Sequence, residues 1–144
     1  MNMKSVFFYG LFMDPELLKN DGYNPGPLRI AQLKNYRLKL GSRATLIPQQ
    51  SSEVWGTIIN LPLEELAQLY SAPSVIDYQP TAVTCILQNG LEVEADVYIL
   101  NPYEPLAPPT NSTYARKLAT ITKNIGLPLQ YRQEIEDLIV KIEE

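Results

Sequence analysis

The chain of 144 residues has no histidine and one cysteine. Without histidine there is no Ser-His-Asp or Cys-His nucleophile system, and no His-ligated zinc, iron or haem. Any proton transfer must use Asp, Glu, Lys, Tyr or the substrate itself. With Cys85 alone, no disulfide can close within the chain, and a reducing compartment fits. Its place in the run Ala-Val-Thr-Cys-Ile-Leu reads as a small core residue, because a reactive thiol needs basic or polar company. Clustered positive charge is also missing. The 12 Lys and Arg are scattered against 16 Asp and Glu, for a net charge of −4, which argues against nucleic acid as a partner. No long apolar run follows Met1-Asn2-Met3-Lys4, so the start reads as neither secretory signal nor membrane span, and the chain as cytoplasmic with no membrane partner.

What is present is ordinary for a globular protein, 45% hydrophobic and 19% charged, and the length suits one domain over residues 1–144. Val6, Phe7 and Phe8 favour a buried strand. Gly10 allows a sharp turn, and Asp14-Pro15-Glu16 has the pattern of an N-cap, a first-position proline and a first-turn acid. A strand that turns tightly into a helix exposes backbone N–H groups suited to a carboxylate or another anion.

Asp21-Gly22 should end that helix, and Asn24-Pro25-Gly26-Pro27 is turn-rich. Residues 28–40 form a long strand with a kink at Lys34-Asn35, and residues 53–59 another, in which Gly56 signals a bulge or a close backbone approach. Residues 62–69 make a short helix with an apolar stripe of Leu63, Leu66, Ala67 and Leu69. Strands at 78–87 and 91–100 flank Asn89-Gly90, the pattern of a type I′ hairpin, and Val93, Ala95, Val97 and Ile99 alternate with Glu92, Glu94, Asp96 and Tyr98. A stiff, exposed, proline-rich connection at 101–110 leads to a helix capped by Asn111 or Ser112 and ended by Gly126. Pro128 opens a last helix with Tyr131, Ile135, Leu138, Ile139 and Ile142 on one face. Strands with helices inserted and appended give an α+β fold.

Five short segments in this order resemble the γ-glutamylcyclotransferase-like (AIG2-like) family: Phe8-Tyr9-Gly10-Leu11-Phe12-Met13, Val54-Trp55-Gly56-Thr57, the helix ending Gln68-Leu69, Tyr78 with its strand, and Tyr114 followed by Gly126-Leu127-Pro128 and Tyr131. The resemblance implies a small mixed β-barrel with helices packed outside. It also implies a cyclisation in which the α-amine of a γ-glutamyl group attacks its own side-chain amide, releasing 5-oxoproline and an amine. The ligand is then a small γ-glutamyl or amino-acid-like molecule, and no metal or organic cofactor takes part. The loop Tyr9, Gly10, Leu11, Phe12 and Met13 would hold the γ-glutamyl head through backbone N–H groups, and one Glu would move the protons.

Two departures stand out. Counted forward from Leu69 and back from Tyr78, the position of the family's Glu is Pro73, which cannot titrate. The loop position that is usually Ser or Thr is Leu11, and the usual Leu is Phe12. Asp77 is the carboxylate best placed to substitute as acid/base, although a strand-start residue facing water has the same appearance. Glu64 and Glu65 read as a solvated helix face. Arg43 could pair with a substrate carboxylate or lie on the surface, and Tyr78 and Tyr114 could line a pocket or pack half-buried. Two expectations follow. One is a relative that keeps the pocket, lacks the Glu and binds a small amino-acid-like ligand; the other is an active cyclotransferase with Asp77 in the Glu's role.

Overall fold

The computed structural model describes residues 2–101, 105–109 and 111–143. Met1, Glu144 and, within the proline-rich connection, residues 102–104 and 110 lie outside the described residues. The strands are β1 (Met3–Phe8), β2 (Arg29–Leu40), β3 (Ala44–Pro62), β4 (Gln79–Leu87) and β5 (Glu92–Ile99). The helices are α1 (Pro15–Asn20), α2 (Leu63–Leu69), α3 (Thr113–Ile125) and α4 (Leu129–Glu143), with a short 3₁₀ turn at Leu11–Met13. The order β1-β3-β2-β4-β5 closes on itself into a small barrel. All neighbours pair antiparallel except β1 and β5, which meet in parallel at Val6 and Asp96. This is the mixed barrel with outer helices that the resemblance implied.

Alternation fills the barrel. Val6, Val54, Ile58, Cys85 and Val97 are fully buried. Leu118 and Ile135 from the outer helices, and Leu127 from the connection between α3 and α4, join the same apolar cluster. Burial pushes the Cys85 thiol up to about 11, in keeping with its reading as a core residue. Gly56 marks a close approach and not a bulge: its register with Ala31 is unbroken, and an added Cβ would lie 2.2 Å from the Phe8 carbonyl oxygen. The expected kink of β2 is real. The register shifts between Lys34 and Tyr36, and Asn35 takes a left-handed φ of 69°.

Other details differ from the sequence reading. Residues 44–52 are strand, so β3 runs unbroken for 19 residues. Their pattern hid this, because the polar stretch 49–53 lies outside the core, between the pairing of residues 44–48 with β2 and its resumption at Glu53. The β4–β5 hairpin does not use a type I′ turn. Gly90 N–H bonds to the Leu87 carbonyl, Leu87 N–H bonds to the Leu91 carbonyl, and only Gly90 (φ 88°) is left-handed, which is a three-residue loop with a glycine bulge. On α2, Leu66 and Leu69 are buried, but Leu63 and Ala67 face solvent because so short a helix rests on the barrel along one ridge. Glu65 is half-buried and accepts from Asn24 N–H at 2.6 Å and Asn24 Nδ2 at 2.8 Å, which ties α2 to the connection after α1.

Gly56→Ala is expected to destabilise the fold by about 3 kcal/mol, since the clash is with backbone on a buried seam. Gly22→Ala, where φ is 92° and space is open, should cost only about 1 kcal/mol of backbone strain. Chemical denaturation of both variants measures the difference.

Candidate functional site

β1 ends at the barrel mouth, and the chain there leaves through Tyr9 and Gly10 into the 3₁₀ turn. The buried Thr57 hydroxyl donates to the Met13 carbonyl at 2.9 Å and holds the end of that turn against β3. Asp14 then caps α1, accepting from Glu16 N–H at 3.0 Å, with Pro15 at the first turn as the sequence indicated. The turn is thereby fixed at both ends.

Against this turn lies a cavity of about 430 Å³. Tyr9, Gly10, Leu11 and Phe12 form one wall. Ser42, Arg43 and Ala44 approach from the β2–β3 turn, and Tyr70, Ser74, Val75 and Tyr78 from the segment after α2. Tyr98 of β5, Tyr114 of α3, Leu17, Asn20 and Asp21 at the end of α1, and Phe7 and Phe8 of β1 complete it. The structure therefore brings together seven of the residues singled out from sequence: Tyr9, Gly10, Leu11, Phe12, Arg43, Tyr78 and Tyr114. Met13 is not among them; its side chain is fully buried in the core. A second cavity of about 580 Å³ lies between the bent part of the β2–β3 pair and α4, and none of the site residues lines it.

Five tyrosines give the cavity its character. Two spend their hydroxyls on backbone: Tyr9 donates to the Tyr98 carbonyl at 2.6 Å, and Tyr78 donates to the Ala44 carbonyl. What these two offer the cavity is ring surface. Tyr70 stacks on Tyr98 with ring centroids 3.7 Å apart. The Tyr114 hydroxyl sits where a Gly10 side chain would begin, 2.8 Å from an ideal Cβ, so glycine at position 10 makes room for it. Burial pushes the Tyr114 phenol up to about 12, opposed in part by the Leu11 N–H directed at its oxygen. Burial likewise raises Tyr9 and Tyr70 well above the usual phenol range. At neutral pH all three are uncharged donors and not bases.

Charge at the cavity is sparse. Arg43 is half-buried; its guanidinium lies 5.6 Å from the centre of the Tyr78 ring, and its Nη1 sits 3.4 Å from Asp77 Oδ2 and 3.5 Å from the Ser74 carbonyl. Asp77 is 64% exposed and does not line the cavity. Pro73 is exposed and also stands off the wall, although its neighbours Ser74 and Val75 belong to it. Among the described residues, Asp21 is the one carboxylate in the wall. Sequence reading had spent it on ending α1. Tyr98 was also missed, and its signal was there: an aromatic among the acids on the polar face of an alternating strand.

Fold and site together define a small mixed barrel that opens at its mouth into a tyrosine-lined cavity beside the β1 loop. The sequence model of the family described as gamma-glutamyl cyclotransferase, AIG2-like, matches residues 6–117, and the chain belongs to that family. No curated protein matches it. Among solved structures, one named gamma-glutamyl cyclotransferase is 25% identical, with a TM-score of 0.76 over 97% of this chain and 99% of its own. An uncharacterised human protein is 24% identical with a TM-score of 0.79, covering 94% of this chain and 88% of its own. A yeast gamma glutamyl cyclotransferase specific to glutathione is 12% identical, with a TM-score of 0.68 over 99% and 97%, and shows the shared fold.

The raised phenols fix an alkaline limit. Between the unfolded tyrosine value near 10 and the higher folded values, the folded chain holds more protons than the unfolded chain, so stability falls as pH rises through that window. Below about pH 10 the contribution is fully present. Tyrosinate absorbance should therefore show Tyr9, Tyr70 and Tyr114 ionising only in the cooperative unfolding step, and Tyr114→Phe should shrink that step by one phenol.

Proposed function

We propose that this chain is a binding relative of the γ-glutamylcyclotransferases, one domain over residues 1–144 that keeps the pocket for a small γ-glutamyl or amino-acid-like ligand but lacks the family's proton-moving Glu. A cytoplasmic setting goes with this reading, because the lone Cys85 is a buried thiol. Among the described residues, no helix is long and apolar enough to cross a membrane.

The observation that carries the proposal is the composition of the cavity wall on the side where a base is needed. Cyclisation requires a proton to leave the substrate's ammonium and another to reach the departing amine, with one group in hydrogen-bond reach of both. Position 73 offers proline, and the neighbouring wall offers Ser74 and Val75. Asp77 is exposed and engaged by Arg43, which weighs against its use as a replacement. Asp21 does border the cavity, at the C-terminal end of α1, and is exposed. The wall tyrosines are protonated at neutral pH and cannot supply the base. Binding features persist: a turn fixed by Thr57 and Asp14, and one guanidinium in the wall.

The test is 5-oxoproline release from a panel of γ-glutamyl amines and peptides, run beside thermal melting with the same compounds. Wild type and Asp77→Asn should both release none above background. At least one compound should stabilise the fold, by about 2.7 kcal/mol at a hundredfold excess over its Kd. Turnover by wild type that Asp77→Asn abolishes would overturn the proposal and establish the enzyme with Asp77 as acid/base.

A further inference from the structure

We infer that the occupant of the β1-loop cavity is a carboxylate bearing a bulky apolar tail, with the carboxylate on Arg43 and an aromatic or branched alkyl group among the tyrosine rings. This deepens the preceding reading and rests on it for the γ-glutamyl part of the ligand.

Size is the first ground. A γ-glutamyl head has about ten non-hydrogen atoms, which at protein-interior packing fill on the order of 200 Å³. The cavity measures about 430 Å³, so roughly half of it is left for whatever the head is joined to. The second ground is what that remaining volume would touch. Leu11, Phe12, Leu17 and Val75 line it with carbon. Tyr9 and Tyr78 add ring surface and keep their hydroxyl hydrogens on backbone carbonyls, out of a ligand's reach. Against these carbon and ring faces a polar tail would lose water without gaining partners, the polar lining groups Asn20, Asp21, Ser42 and Ser74 lying elsewhere in sequence at the α1 end and the two loops, whereas an apolar tail only loses its hydration shell.

The third ground is Arg43. Among the described residues it is the one cation in the wall. Its pair with Asp77 is long at 3.4 Å, and the acid is 64% exposed, so the pair is of the weak surface kind. A ligand carboxylate arriving from the cavity side can share or replace it. The guanidinium is already steered by the Tyr78 face and the Ser74 carbonyl, so little side-chain freedom is lost on binding.

The experiment measures affinity by calorimetry for γ-glutamylbenzylamide, γ-glutamylmethylamide and 4-phenylbutyrate. The benzylamide should bind at least tenfold tighter than the methylamide, as burial of an aryl group requires. Leu11→Ser should narrow that gap by making the wall polar. Arg43→Gln should weaken both amides by the same factor. Asp77→Asn separates direct binding from an indirect effect of Arg43 on the 71–77 segment: it should leave affinity unchanged or tighter, whereas a loss equal to that of Arg43→Gln would mean the pair only shapes the segment and would overturn the carboxylate assignment. Equal binding of the two amides would overturn the apolar tail while leaving the γ-glutamyl reading intact. Phenylbutyrate binding as tightly as the benzylamide would uphold the tailed carboxylate and overturn the γ-glutamyl head. No binding by any of the three would overturn both.

Discussion

The architecture depends on the contact at Gly56, where β1 and β3 come closer than any side chain would permit. The Phe8 carbonyl oxygen occupies the space of a Cβ, and the Phe7 ring lies just beyond it. That approach puts the next residue, Thr57, within reach of the Met13 carbonyl, and the resulting bond is buried, so water does not compete for it. A loop fastened in this way becomes a wall. Without the bare position 56, the turn after β1 would have to stand away from β3, and the cavity would lose the side that Tyr9, Gly10, Leu11 and Phe12 form.

A second glycine does the same service one layer out. Gly10 gives its volume to the Tyr114 hydroxyl, which brings α3 onto the loop. The cavity is thus bounded by residues far apart in sequence, each set in place by a close approach or a buried hydroxyl. Tyr78 on Ala44 and Tyr9 on Tyr98 are further cases, and each ties a wall residue to the backbone of a different strand. The phenols serve as struts, which is why burial holds Tyr9 and Tyr114 in the protonated form.

Local chemistry made part of this legible in the sequence. The cap at Asp14, the bend at Asn35, the close approach at Gly56 and the helix stop at Gly126 are each set by one residue's own conformational preference, and each is present. The strand at residues 44–52 was not legible, because residues 44–48 are held extended by pairing with β2 and the polar residues beyond them lie outside the core. Neither was the hairpin loop: Asn89-Gly90 admits both a two-residue and a three-residue turn, and strand register decides between them. At the site, the loop residues were visible through their resemblance to the family. Asp21 and Tyr70 were not, since an acid at a helix end and an aromatic after a short helix carry no mark of the cavity they border. Met13 shows the reverse: adjacency in the loop suggested the wall, but the 3₁₀ turn points its side chain into the core.

On the proposed reading, an apolar wall at Leu11 and Phe12 and the absence of a proton-moving Glu make physical sense together. A general base works best when its pKa lies near the operating pH, and a carboxylate is brought there by partial burial beside the substrate's amine. Set that carboxylate against Leu11, Phe12 and the ring faces of Tyr9 and Tyr78 and its charge becomes costly, because those surfaces replace little of the water it loses. An apolar rim and an ionised Glu therefore work against each other, and a site that gains the one is relieved by losing the other. Arg43 escapes this conflict because it sits at the edge of the cavity with Asp77 and the Tyr78 face to stabilise it. On that reading the site holds an anion with an apolar tail, and its selectivity would come from the volume the rings enclose and not from a reacting group.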